Sequence, residues 1–288
     1  MEARGVPLSG AATIDSHQHF WRYNPARDGW ITEEMAAIKR DYLPEHLLPE
    51  LQLNQVAGCI AVQADQSEDE TMLLVDLAQR YSFIRGIVGW VDLRSDRLPE
   101  RLKFFSQFEK LRGFRHIVQS ESDERFLLQK DFLRGIAELR AFGFTYDILI
   151  YARQLPAAVE FAARFPEQKF VVDHIAKPEI KAKEIAGWER GMRRMAALPN
   201  VHCKLSGMVT EAEWTRWRPS DFAPYLDVVF ECFGSDRLMF GSDWPVCLLA
   251  GSYCRVKEII ADYTNALPQH EKDKIFGLNA AKFYGLAA

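Results

Sequence analysis

Two histidines near the start of the chain, His17 and His19, are spaced for chemistry. Side chains at positions i and i+2 of an extended strand point to the same side, so both imidazoles can reach one metal ion or one substrate oxygen. The same spacing also occurs in strands whose histidines have no function. The pair therefore acquires meaning only if complementary groups follow other strands.

Complementary groups do occur farther along the chain. His174 and Asp243 each follow a short apolar run, and Arg115 lies within another. Three imidazoles and one carboxylate, from His17, His19, His174 and Asp243, form a donor set for one divalent ion, with zinc the first choice. The same residues also suit catalysis without a metal, because Asp243 can take a proton from water while the histidines stabilise a carbonyl oxygen. The sequence leaves both modes open.

Eight short runs rich in apolar and β-branched residues are the candidate strands that would position these groups. They lie at 13–20, 58–64, 84–93, 111–119, 145–152, 169–176, 200–207 and 237–246. Segments with helical spacing separate them. This alternation is typical of an α/β fold, the (β/α)8 TIM barrel, and no Gly-x-Gly-x-x-Gly follows any run as it would in a dinucleotide-binding sheet. We therefore predict a single domain over residues 1–288.

Three of the separating segments carry clear helix signals. Ser67 and Glu70 have the spacing of a capping box, Asp131 opens a second helix, and residues 220–234 repeat the pattern. The segment 21–57 is rich in Trp, Tyr and Pro. We expect part of it to form a loop over the mouth of the barrel.

Chemistry in such a barrel occurs at the C-terminal ends of the strands, so polar residues there are candidate substrate contacts. Arg115 alternates with Gln119 and should face the lumen, where it would bind a carboxylate or a hydroxyl group. Asp173 is one residue out of phase with His174 and should face the helices. His116 should likewise point away from the lumen.

Four more residues are predicted substrate contacts because they end strands or lie just beyond them: Tyr151, Ser206, Trp21 and Trp244. The two tryptophans would form an aromatic wall for a sugar-like ring. Packing between loops is the alternative interpretation for both.

The composition argues against several classes of function. With 36 basic and 40 acidic residues the net charge is −4, and no block of Lys and Arg would follow a nucleic acid backbone. No apolar run reaches the roughly 18 residues of a membrane span. Residues 1–10 lack the apolar stretch of a signal peptide, and the five cysteines are scattered, so we expect a cytoplasmic protein with reduced thiols. The sequence leaves open whether the chain forms a homo-oligomer.

Five motifs together resemble the lactonase branch of the amidohydrolase superfamily, which includes fuconolactonases, rhamnonolactonases and 2-pyrone-4,6-dicarboxylate lactonase. They are Ile14-Asp-Ser-His-Gln-His-Phe-Trp21, Arg112-Gly-Phe-Arg-His-Ile-Val-Gln119, Val172-Asp-His-Ile-Ala-Lys-Pro178, Lys204-Leu-Ser-Gly207 and Phe240-Gly-Ser-Asp-Trp-Pro245. The motifs occur in order over nearly the whole chain.

The resemblance implies a (β/α)8 hydrolase that opens a cyclic ester. In that branch the counterparts of His17, His19 and His174 surround the lactone carbonyl, that of Asp243 activates water, and that of Arg115 holds the substrate. Members differ in their need for metal, so zero or one divalent ion stays open. Two ions are not expected, because residues 146–152 end without the lysine or glutamate that bridges two metals in other amidohydrolases.

We therefore predict a lactonase of carbohydrate metabolism that hydrolyses a sugar-acid lactone such as L-fuconolactone or L-rhamnonolactone. A dicarboxylate lactone would require more basic residues at the strand ends than Arg115 and Lys204. Two alternatives on the same scaffold are amide hydrolysis and metal-dependent decarboxylation of an aromatic acid. A third is a barrel that binds a sugar acid without turning it over.

Overall fold

Eight parallel strands form one sheet in the computed structural model, which describes residues 11–286. They follow one another in chain order around the sheet. The strands are β1 (Ile14–Gln18), β2 (Gly58–Val62), β3 (Ile84–Gly89), β4 (Leu111–His116), β5 (Thr145–Ile148), β6 (Phe170–Val172), β7 (Val201–Leu205) and β8 (Leu238–Phe240). The predicted (β/α)8 barrel is confirmed. Residues 1–10, on which the expectation about a signal peptide depends, lie outside the described part of the chain.

Helices alternate with the strands along the chain, and the last three follow β8. They are α1 (Pro44–Leu53), α2 (Glu68–Arg80), α3 (Leu98–Phe105), α4 (Lys130–Leu139), α5 (Leu155–Ala163), α6 (Ala186–Ala196), α7 (Pro219–Phe233), α8 (Tyr253–Tyr263), α9 (Gln269–Asp273) and α10 (Asn279–Tyr284). No described helix is both long and apolar enough to cross a membrane. Between β1 and α1, the segment predicted to be partly a loop contains one short 3-10 helix, Glu33–Ile38.

The barrel closes where β8 meets β1. The backbone N–H of Asp243 donates to the carbonyl of His17 at 2.8 Å, and that of His19 donates to the carbonyl of Trp244 at 2.7 Å. Both bonds lie just beyond the end of β8. They join the ends of the first and last strands at one point on the rim, which is where the predicted site residues lie.

Apolar side chains fill the lower lumen of the barrel. The buried members of this cluster on the strands are Ile14, Ile60, Val62, Val88, Val171 and Met239. Phe283 and Tyr284 of α10 pack against them. Helix α10 therefore closes the end of the barrel opposite the rim.

The capping box predicted at α2 is formed in part. The Ser67 hydroxyl accepts from the backbone N–H of Glu70 at 3.2 Å, as expected. The Glu70 carboxylate instead accepts from the backbone N–H groups of Ala64 and Asp65. Burial raises the pKa of Glu70 to about 8. Glu70 thus holds the loop after β2, and this loop reaches the rim.

Candidate active site

The four residues predicted to act together meet at the C-terminal rim of the barrel. The Nε2 atoms of His17 and His19 are 3.1 Å apart. Oδ1 of Asp243 lies 3.4 Å from Nε2 of His19, 3.9 Å from Nε2 of His17 and 3.8 Å from Nε2 of His174. None of the four is more than 5% exposed. One carboxylate oxygen therefore lies within 3.9 Å of three imidazole nitrogens.

Hydrogen bonds behind the rings fix how the histidines face this point. Nδ1 of His19 lies 2.8 Å from the carbonyl oxygen of Val62 and donates to it, so Nε2 is the nitrogen that faces Asp243. Nδ1 of His174 lies 2.9 Å from the hydroxyl oxygen of Ser206. Burial lowers the pKa of His17 and His174 well below the usual value, against the opposing effect of the neighbouring carboxylates.

A left-handed turn after β6 places His174 at the rim. Residues 174–177 have φ angles of 53°, 46°, 58° and 46°, although none of them is glycine. Each such residue costs free energy, and β-branched Ile175 is an especially unfavourable case. Asp243 also has a positive φ, 57°. Backbone strain in the described chain is thus concentrated at residues that bound the site.

The prediction that Asp173 faces the helices is wrong. Asp173 follows Val171 by two residues, so its side chain points to the same side as that of Val171, into the lumen of the barrel. Asp173 is completely buried there. The turn that begins after Asp173 interrupts the period-two alternation of the strand. As a result His174 reaches the same site from the next position in the sequence.

A network of charged groups supports the site from below, and we call Asp147, Asp173, Lys204 and Tyr284 the basal network. The ammonium of Lys204 lies 2.5 Å from Oδ2 of Asp147, 3.0 Å from Oδ1 of Asp173 and 3.1 Å from Nδ1 of His17. The Tyr284 hydroxyl donates to Oδ2 of Asp147 at 2.8 Å. Lys204 is fully buried and does not line the cavity described below, so it is out of reach of a substrate there. Its contact with Nδ1 supports His17 instead.

Arg115 faces the lumen, and its guanidinium is bound largely by protein acceptors. Nη1 donates to Oδ2 of Asp173 at 2.9 Å and lies 3.3 Å from Nε2 of His17. Nη2 donates to the backbone carbonyl of Gln63 and, at 3.1 Å, to the side-chain Oε1 of the same residue. Burial raises the pKa of Asp173, but Lys204, His17 and Arg115 together hold it well below the usual value.

The site lies at the floor of a cavity of about 310 Å³. Its apolar lining includes Trp30, Ile117, Leu149 and Val246. Its polar lining above the histidines includes Gln66, Gln119, Ser120 and Lys177. A cavity with one apolar wall and several separate hydrogen-bonding groups suits a small polyfunctional ligand.

Trp21 and Trp244, predicted as an aromatic wall, do not line this cavity. Each is only 2% exposed, and their rings pack edge-on against Tyr42 at 5.5 and 5.1 Å. The loop-packing alternative is therefore correct for both. The aromatic residue on the cavity is Trp30, which is 41% exposed and leans on Trp21 at 5.8 Å.

The remaining predicted contacts lie around the site. Neither Ser206 nor Tyr151 lines the cavity: Ser206 is buried behind His174, and Tyr151 is half-buried, with its ring 5.5 Å from the ammonium of Lys177. His116 points away from the site, as predicted, and bonds to Glu121 at 2.7 Å. Sequence reasoning missed Lys177, which the left-handed turn places on the cavity wall three residues after His174.

Three of the site residues have the geometry of a metal site. A zinc ion binds imidazole nitrogen and carboxylate oxygen at about 2.0 to 2.2 Å, so donors to one ion lie within roughly 4 Å of one another. Nε2 of His17, Nε2 of His19 and Oδ1 of Asp243 meet this condition. A second group, His17 with Asp173 and His174, shares His17 with the first. There the ammonium of Lys204 already contacts both Nδ1 of His17, at 3.1 Å, and Oδ1 of Asp173, at 3.0 Å.

Known proteins share both the sequence and the fold. A family model described as amidohydrolase matches residues 14–286. An L-fucono-1,5-lactonase of Burkholderia multivorans is 44% identical, with 96% of this chain and 97% of the relative covered. An L-fucono-1,5-lactonase of Burkholderia ambifaria is 36% identical, with 94% of each covered. A crystal structure of an amidohydrolase from Burkholderia multivorans with bound zinc superposes with a TM-score of 0.93 at 44% identity, covering 96% of this chain and 100% of that one.

Proposed function

The chain belongs to the amidohydrolase family, and from that premise we propose that it is a lactonase that hydrolyses a sugar-acid lactone. The observation that carries the proposal is the position of the Asp243 carboxylate, within 3.9 Å of three imidazole nitrogens at the floor of the cavity. The relatives named L-fucono-1,5-lactonase, which align over nearly their whole length, support L-fuconolactone as the first substrate to test. The resemblance expected from the sequence motifs is confirmed.

In the proposed reaction Asp243 accepts a proton from the attacking water. The new bond joins the water oxygen to the carbonyl carbon, and negative charge develops on the carbonyl oxygen. Hydrogen bonds or positive charge at that oxygen stabilise the transition state. They act more strongly here than in water, because the site residues are buried and open only to the cavity. His19, His174 and Arg115 line the cavity beside Asp243 and supply these groups. The ring C–O bond then breaks, and the ring oxygen takes the proton that Asp243 accepted, which gives the hydroxy acid and restores the Asp243 carboxylate.

A divalent ion would be held by His17, His19 and Asp243, and when bound it would polarise the carbonyl group. Zinc is the ion that we propose to test first, because the donors are nitrogen and oxygen atoms at suitable distances. His19 would then hold the ion and would not contact the carbonyl oxygen, and the other tasks would stay with the protein groups. They orient the lactone, hold the water beside the carbonyl carbon and keep Asp243 as the proton acceptor.

The test is turnover of a panel of sugar lactones, followed with a pH indicator and corrected for spontaneous hydrolysis. We expect Asp243→Asn to lower kcat by about 100- to 10,000-fold on the best lactone, as loss of a general base does. The matched control is Asp236→Asn, because Asp236 is an exposed acid at the opposite end of β8 that pairs with Lys274. Wild-type turnover in Asp243→Asn would contradict the assignment of the base. A wild-type protein that opens no lactone would contradict the proposed function.

We further propose that the enzyme acts in carbohydrate metabolism in the cytoplasm. The five cysteines are all free, which suits a reducing compartment. Fractionation of the native host, with the lactonase activity assayed in each fraction, tests this location.

A further inference from the structure

Two cationic side chains other than histidine line the cavity, and they differ in how many of their N–H groups are used. Arg115 donates to Asp173 and to two oxygens of Gln63. The nearest charged partner of Lys177 is Oε1 of Glu211 at 3.6 Å, a long contact that takes at most one of the three N–H groups of the ammonium, and the ring of Tyr151 lies 5.5 Å away. No other described residue accepts a hydrogen bond from its ammonium.

The Lys177 side chain is only 15% exposed, so water has limited access to it. A cation held in such a position loses hydration, and unused N–H donors there are unfavourable unless a ligand accepts from them. Glu211 compensates the positive charge of the Lys177 ammonium from 3.6 Å. At that distance it takes at most one of the three N–H donors of the ammonium. The arrangement therefore leaves N–H groups on the cavity wall ready for a ligand oxygen.

The backbone indicates independently that this position is built for a purpose. The N–H of Lys177 donates to the carbonyl of His174 at 2.8 Å, which closes the left-handed turn. The first and the last residue of the turn both line the cavity. Four consecutive positive φ angles are retained at a cost, and strain of this kind is typically found where a site must be positioned.

We propose that Lys177 is a specificity-determining residue whose ammonium donates hydrogen bonds to the hydroxyl groups of the substrate. The proposal rests on the proposed lactonase function and adds to it the part of the substrate that is recognised. Arg115, which was predicted to hold the substrate, is instead committed mainly to Asp173 and Gln63. Lys177 therefore selects polyhydroxylated lactones over plain ones.

The experiment compares Lys177→Met with the wild type on two lactones that have the same six-membered ring: L-fucono-1,5-lactone, which carries hydroxyl groups, and δ-valerolactone, which carries none. On the sugar lactone we expect KM to rise about 10- to 100-fold with kcat within about threefold, the loss typical of a hydrogen bond from a charged donor. On δ-valerolactone we expect kcat/KM to stay within about twofold. If δ-valerolactone turns over too slowly to follow, its inhibition constant against the sugar lactone replaces kcat/KM.

Two further variants distinguish donation from a structural effect. Lys177→Arg keeps a charged donor and should recover part of the KM, whereas Lys181→Met removes an exposed lysine paired with Glu213 near the same turn and should change nothing. An unchanged KM in Lys177→Met, or an equal loss on both lactones, would overturn the proposal. A wild-type enzyme active on the sugar lactone keeps the proposed function intact in either event, so the two failures are distinguishable.

Discussion

Gly207 determines the space available to His174. A Cβ atom at this position would lie 2.5 Å from Nδ1 of His174, and the φ angle of Gly207 is +64°. The residue must therefore lack a side chain for two separate reasons. One is the conformation of the backbone, and the other is the imidazole ring that occupies the space.

We expect Gly207→Ala to lower kcat by on the order of 100-fold, because a shift of about 1 Å in a reacting group has effects of that size. The free energy of unfolding of this variant should fall by about 1 to 2 kcal/mol because alanine disfavours the left-handed backbone conformation. Overpacking against His174 should lower it further. Gly143→Ala is the matched control, since Gly143 has φ +75° and a Cβ added there would meet nothing within 4 Å. Thermal unfolding should show a loss in both variants and lactone turnover a loss in only one. Normal turnover in Gly207→Ala would contradict the placement of His174.

At the level of elements, β7 carries His202 into the lower lumen, where it packs against α10. The ring of His202 lies 4.8 Å from that of Phe283, and Nδ1 has no hydrogen-bond partner among the described residues. Burial, with smaller effects of Arg237 and two lysines, lowers the pKa of His202 to about 4. The folded protein therefore resists protonation of this ring more than the unfolded chain does.

This difference gives a pH dependence of stability. Between pH 6.5 and about 4 the unfolded chain binds a proton at His202 and the folded protein does not, so stability is complete above pH 6.5 and is lost as the pH falls. The contribution is at most about 3 kcal/mol for a pKa difference of this size. Urea unfolding of His202→Gln at a series of pH values should show a flatter dependence than the wild type. The exposed His270→Gln is the control, and parallel curves for all three proteins would contradict the expectation.

The sequence predicted the strands and helices more completely than it predicted where their side chains point. Apolar runs and helix caps indicated all eight strands, because burial on both faces leaves a strong signal in a parallel barrel. The end of β6 could not be predicted, since nothing in Asp-His-Ile-Ala-Lys announces a left-handed turn. The error over Asp173 follows from that, and so does the omission of Lys177. Trp21 and Trp244 were misplaced because a tryptophan beyond a strand end can pack inward or face a cavity with the same sequence neighbours.

At the scale of the whole molecule, the basal network joins α10 to the rim through the lumen. Tyr284 bonds to Asp147, Asp147 pairs with Lys204, and Lys204 contacts Asp173 and His17. Every member is buried. The charges are balanced only as a group, with Arg115 as the second cation.

We expect Lys204→Met to destabilise the protein by about 3 to 5 kcal/mol, because it leaves two buried carboxylates without their shared cation. Arg193→Met, which removes an exposed pair with Glu189 and Glu231, should leave the unfolding midpoint almost unchanged. Denaturant unfolding of both variants measures the contrast. If Lys204→Met costs no more than Arg193→Met, the network does not support the barrel.

Because the site residues come from both β1 and β8, lactone turnover measures whether the barrel has closed at the junction of these two strands. His17 and His19 leave the ribosome early and Asp243 late, and the two backbone bonds at this junction are what bring them side by side. A nascent or truncated chain that stops before β8 has imidazoles without the acid, however much of its sheet has formed. Two fragments divided between β4 and β5 would be silent separately, and catalysis on mixing would measure how completely the halves had recombined.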